Sequence, residues 1–109
     1  MPYNEELESR IKKIVSRWKN TVNKKMFGGV CHLMEGNMFC GVYKDFLILR
    51  LGEDESKEAM KLPFARPFDI TGRPMKGWVM VDSRGFDSDE ALKKWLEKAK
   101  RFADSLPPK

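Results

Sequence analysis

Three residues able to do chemistry sit close together in this chain: Cys31, His32 and Cys40. A thiol beside an imidazole can form a nucleophile–base pair, and two thiols with a histidine can begin a metal site. The spacing argues against both. His32 is the only histidine, and no carboxylate or hydroxyl stands at a recognisable motif distance from it. If the segment is a strand, Cys31 and His32 point to opposite faces. Neither thiol then has a basic activator nearby in the expected strand register. Asp82 and Asp87 flank a turn, and Asp87 is placed to cap a helix. No phosphate loop, nucleophile elbow or metal-binding pair occurs. The expectation is a domain without catalysis, cofactor or metal, with two reduced and buried cysteines.

Cations are the second group. From Ser9 to Met34 there is no acid, and Lys12, Lys13, Arg17, Lys24 and Lys25 fall in that stretch. The formal net charge is +5. Weak attraction to nucleic acid follows from such an excess. No groove-binding motif accompanies it, so solvated helix faces are the simpler explanation of the charge. Arg66, Arg73 and Lys76 could gather an anion. The same block also reads as a structural clasp, in which Asp69 pairs with Arg66 or Arg73 and Thr71-Gly72 makes a turn.

The stretch from Lys24 to Leu51 must position these groups, and it predicts a three-strand antiparallel meander. Gly36-Asn37 and Lys44-Asp45 are the candidate two-residue turns, because Gly, Asn and Asp tolerate positive φ. This register pairs Leu33 with Cys40, Cys31 with Val42, Tyr43 with Phe46, Val42 with Leu47 and Cys40 with Leu49. Side chains alternate between faces. One face then carries Cys31, Leu33, Met38, Cys40, Val42, Leu47, Leu49 and Leu51, and is the expected core. The other carries Val30, His32, Met34, Phe39, Gly41, Tyr43, Phe46, Ile48 and Arg50. The two cysteines fall diagonally on the core face, a poor disulfide position.

The flanks are helical. Leu7, Ile11, Ile14, Val15 and Trp18 recur at helical spacing over residues 4–18, with Asn4 as N-cap and Glu5, Glu6 and Glu8 at the positive end of the helix dipole. Residues 20–23 read as a connector, with a short leading strand after them. A short helix is expected over 55–62, a structured loop over 63–77 and one further strand over 78–81. A long helix spans about 88–105, with Ala91, Leu92, Trp95, Leu96, Ala99, Phe102, Ala103 and Leu106 as its stripe. This order predicts a single α+β domain over residues 1–109: a two-layer sandwich of an antiparallel sheet (the hairpin meander plus one later strand) against the N- and C-terminal helices. No apolar run reaches the ~20 residues needed to span a bilayer. The polar, acidic start does not read as a signal peptide, so a cytoplasmic protein is expected.

Four blocks carry a family resemblance: Lys25-Met26-Phe27-Gly28-Gly29, Gly36-Asn37-Met38, the run from Arg66 to Val79, and the ending from Phe102 to Lys109. Together they resemble the N-terminal domain of the TfoX (Sxy) family of bacterial competence regulators, as a stand-alone single-domain member. The resemblance implies a small α+β domain similar to secretion-chaperone-like folds, with no established enzymatic activity. It also implies kinship with transcription co-regulators that act with a cyclic-AMP receptor protein on DNA-uptake genes.

Two helices can cover one face of the sheet. His32, Phe39, Tyr43, Phe46 and Arg50 on the other face are then the candidate contact surface for a protein partner or a second copy. Cover by the short helix and the Arg66–Trp78 loop is the competing reading. The alternative function is nucleic-acid binding through Lys12, Lys13, Arg17, Lys24, Lys25, Arg66, Arg73 and Lys76, with the sheet aromatics stacking on bases.

Overall fold

A computed structural model describes residues 3–26, 29–68 and 76–107. In chain order its elements are α1 Glu5–Val15, β1 Thr21–Met26, β2 Gly29–Met34, β3 Asn37–Tyr43, β4 Phe46–Arg50, α2 Glu53–Ala59, β5 Ala65–Pro67, β6 Trp78–Val81, a 3-10 turn Ser83–Gly85, and α3 Asp89–Asp104. The strands form one antiparallel sheet in the order β1-β2-β3-β4-β6-β5. The α+β architecture agrees with the sequence reading, with two later strands rather than one. Both sheet ends extend further than expected. Residues read as a connector before Lys24 belong to β1, and β5 lies within the stretch read as a loop. A strand of three residues ending in proline carries no alternation signal to read.

The two long helices start where their caps dictate. The Leu7 amide donates to Asn4 Oδ1 at 3.0 Å, and the Ala91 amide donates to Ser88 Oγ at 3.1 Å. Each satisfies an amide that the first helical turn leaves without a partner. The short helix α2 begins two residues earlier than expected, after Gly52 at φ +87°. Leu7, Ile11 and Val15 of α1 and Leu92, Trp95, Leu96, Ala99 and Ala103 of α3 pack on the same face of the sheet. Arg10 clamps the helices together: Nε donates to Asp89 at 3.1 Å and Nη2 to the Phe86 carbonyl at 2.8 Å.

The β3–β4 hairpin has the expected register, with Tyr43 opposite Phe46, Val42 opposite Leu47 and Cys40 opposite Leu49. The β2–β3 hairpin does not. Its turn is Glu35-Gly36, at φ +51° and +85°, the conformation of a primed hairpin turn. Asn37 therefore pairs with Met34 instead of sitting in the loop. The ladder shifts between His32 and Leu33, leaving Phe39 as an extra residue in β3. This is a β-bulge, in which two residues of one strand oppose one of the other. Here Phe39 and Cys40 oppose His32.

The bulge re-sorts the faces. Val30, His32 and Met34 turn to the helices beside Phe39, Cys40 and Val42, and Cys31, Leu33 and Met38 turn away from them. The expected core assignment is thus corrected for β2 and the start of β3, and stands for Cys40, Val42, Leu47, Leu49 and Leu51. Gly41 lies beside this irregularity. A Cβ there would fall 2.5 Å from the Val30 carbonyl oxygen, a backbone atom with no freedom to yield. Gly41→Ala is predicted to cost about 1–3 kcal/mol, as overpacking does. Val22→Ala on the exposed edge should stay within about 0.5 kcal/mol. Thermal melts of the two variants check this; equal melting temperatures would contradict the close strand approach.

Candidate binding face

The helix side of the sheet is closed around a polar pair. His32 is 2% exposed and Glu8 is 6% exposed. The His32 Nε2 lies 2.7 Å from Glu8 Oε1. A carboxylate only accepts, so against an ionised Glu8 that ring nitrogen carries the proton. The other carboxylate oxygen, Oε2, is buried without a hydrogen-bond partner. Glu8 reaches inward because it shares the buried stripe of α1 with Ile11 and Val15, three and seven residues on. That spacing was the available signal. The first-turn position instead suggested a role for Glu8 in the helix dipole alone, and the carboxylate partner of His32 was missed.

Both candidate thiols are buried and unpaired. They lie on opposite faces, not diagonally on one: Cys40 faces the helices opposite His32, and Cys31 lies opposite Gly41 on the far face. Burial, reinforced by the Glu8 charge, pushes the Cys31 thiol up to about 11 and the Cys40 thiol also upward. A thiol so protonated and enclosed is a poor nucleophile and a poor ligand. Among the described residues no group of three or more potential metal ligands converges.

The far face is where the sheet meets solvent. One row of cross-strand neighbours runs Lys24, Cys31, Gly41, Ile48, Met80, Arg66. Beside it runs the shorter row Val22, Leu33, Met38. The centre has a small core of its own: Ile48, Phe68, Trp78 and Met80 are buried together, with the Phe68 and Trp78 rings 5.8 Å apart. Ile48, expected to be partly exposed, is 2% exposed. The face is therefore covered around Ile48 and Trp78, while Met38, Tyr43 and Phe46 remain half-buried against that cluster and Leu33 half-buried opposite Met38.

Of the five residues expected to form the contact surface, Tyr43, Phe46 and Arg50 are half-buried. The first two pair at the turn end of the β3–β4 hairpin. Arg50 lies at the other end of β4, its guanidinium 5.6 Å from the Trp78 ring centre and 5.4 Å from that of Phe102. His32 and Phe39 do not join them. The bulge turns both to the helices, where Phe39 is fully buried against Trp18 at 6.1 Å.

The basic candidates do not converge. Lys13 and Arg17 line a groove of about 530 Å³ between α1 and α3, facing Asp89, Glu90 and Glu97. Lys12 is exposed on α1. Lys24 and Lys25 sit on the β1 edge and Arg66 on the opposite edge. Lys76 borders a smaller hollow beside α2 and Trp78. Arg73 and the proposed Asp69 clasp lie outside the described residues. Charge is nonetheless distributed with one sign on the sheet: no residue of the six described strands is acidic.

A family model described as the TfoX N-terminal domain matches residues 13–103. Comparison with curated proteins and with solved structures gives no match. No helix among the described residues is long and apolar enough to cross a membrane.

Removing one partner of a buried pair strands the other, so Glu8→Ala is predicted to cost about 3 kcal/mol or more. Glu8→Leu combined with His32→Leu should recover most of that loss. Denaturant melts of the three proteins decide it, and a double variant no better than Glu8→Ala would contradict the coupling. The cysteines give a second check. The folded state holds protons that the unfolded chain releases above pH 9, so stability should fall as pH rises from 9 towards 11. Melts across that range should show a shallower fall for Cys31→Ala than for the parent, and identical slopes would contradict the shift.

Proposed function

The chain belongs to the TfoX N-terminal domain family, and from that premise we propose that it is a non-enzymatic protein-binding module of the kind competence co-regulators use to engage a partner. The observation that carries this reading is the half-open face of the sheet. Leu33, Met38, Tyr43 and Phe46 are neither sealed by the helices nor fully solvated. Apolar groups in such a setting, rimmed by cations, are what interfaces use. A non-enzymatic role is supported by the enclosure of the reactive side chains: His32 and Cys40 are 2% and 0% exposed, out of reach of a substrate.

Nucleic-acid binding has less support. Base stacking needs free ring faces. The Arg66 guanidinium already lies 5.0 Å from the Phe46 ring centre, and the Lys44 ammonium 5.4 Å from that of Tyr43. The remaining apolar groups, Val22, Leu33 and Met38, are aliphatic and offer no stacking surface.

The test compares the parent with Leu33→Ser combined with Met38→Ser as bait in a native extract. We expect the double variant to lose under ~2 kcal/mol of stability and to lose a partner that the parent retains. Retention of that partner unchanged by the double variant, or retention only of nucleic acid that washes off steeply with salt, would overturn the reading.

A further inference from the structure

We propose that the outer edge of β1 is a strand-addition site for an extended acidic protein segment. The inference rests on the protein-binding role proposed above and names the kind of partner. Its basis is the difference between the two ends of the sheet. At one end β5 has only three residues and finishes in Pro67, which has no amide to donate. At the other end β1 is six residues long and contains no proline. Among the described residues nothing pairs with its outer side. Its residues Val22 to Lys25 are all exposed, Val22 at 57%. A strand of that length presents a row of unpaired amides and carbonyls that another extended chain can complete.

The side chains of the edge specify the occupant. Lys24 lies opposite Cys31 on the open face, and Lys25 lies opposite Val30 on the helix face. The edge is therefore cationic on both sides, with no acid in β1 or β2 to neutralise it. Val22, opposite Leu33, starts the aliphatic row that continues to Met38. A strand added antiparallel to β1 places successive residues opposite Lys25, Lys24, Asn23 and Val22. The complementary segment reads acid, acid, any residue, aliphatic from its N-terminal side. Its aliphatic side chain extends the Val22–Leu33–Met38 row, and its acids straddle the strand to meet both lysines.

A second copy of this chain fits less well. Two β1 edges paired with each other gather four lysines in one short ladder with no acid between them, and like charges at cross-strand distance repel. The same lysines deter unwanted edge pairing while leaving the edge open to a partner of opposite charge.

The test uses the full chain and a synthetic peptide carrying Glu-Glu-Thr-Val within a polar extended sequence. Titration followed by backbone amide signals and hydrogen exchange should show new protection confined to alternate amides of β1. Lys24→Glu with Lys25→Glu should weaken binding on the order of ten-fold or more. A Lys-Lys-Thr-Val peptide should restore it for that variant and bind the parent poorly. Absence of binding, or binding unaffected by the charge reversal, overturns the proposal. Protection of β1 in the free chain together with a dimer in sedimentation assigns the edge to a second copy and also overturns it. Peptide binding that instead shifts Tyr43 and Phe46 and leaves β1 unprotected defeats the edge site but leaves the protein-binding role standing. That role fails separately, if the Leu33/Met38 double variant keeps every partner of the parent.

Discussion

The arrangement of this domain depends on one extra residue in β3. Without the bulge at Phe39, a regular ladder would carry Leu33 and Cys31 to the helices and His32 to the far side. With it, Phe39 and Cys40 both serve the core, and His32 swings under α1 to meet Glu8. An irregular ladder weakens local pairing. It is held here by tight packing on every side: Trp18 against Phe39, the Gly41 backbone against Val30, and Asn37, whose side chain donates to the Pro107 carbonyl at 2.9 Å.

A buried histidine–glutamate pair is weak evidence for stability, because desolvation offsets much of the attraction. Its value here is positional. A leucine core accepts several sliding registers of α1. A single carboxylate that must find a single imidazole accepts one. Arg10, reaching from α1 to Asp89 and the Phe86 carbonyl, fixes the same helix against α3. Two polar contacts on opposite sides of α1 thus define where it lies, and the apolar stripe supplies the bulk of the burial.

Much of this was readable from residue order. Asn4 announced the start of α1, and the Lys44-Asp45 turn set the β3–β4 register correctly. The start of α3 was read one residue early: Asp87 was expected to cap it, and Ser88 does so, because its short side chain reaches the Ala91 amide. The β2 phase was not readable, for a physical reason. Val30 and Met34 are apolar at one parity, Cys31 and Leu33 at the other, so either face satisfies the hydrophobic pattern. The turn could not settle it, because Glu35-Gly36 and Gly36-Asn37 both offer residues tolerant of positive φ. The candidate surface inherited that ambiguity: Tyr43, Phe46 and Arg50 from the well-determined hairpin kept their expected face, and His32 and Phe39 changed sides. The edge strand was hidden differently. A short leading strand was read at Lys24 and Lys25, but its start at Thr21 and its place at the end of the sheet were not, since Thr21-Val22-Asn23 carries no alternation signal and sheet order leaves none.

The closed, polar-pinned helix side follows from the bulge, so the position of the sole histidine reports on the account. Through-space proton contacts of the His32 ring in solution measure it directly. The account predicts contacts from the ring to Glu8 and to the side chains of α1 and the core around it. Ring contacts to Tyr43 or Phe46, or a ring open to solvent, would contradict it.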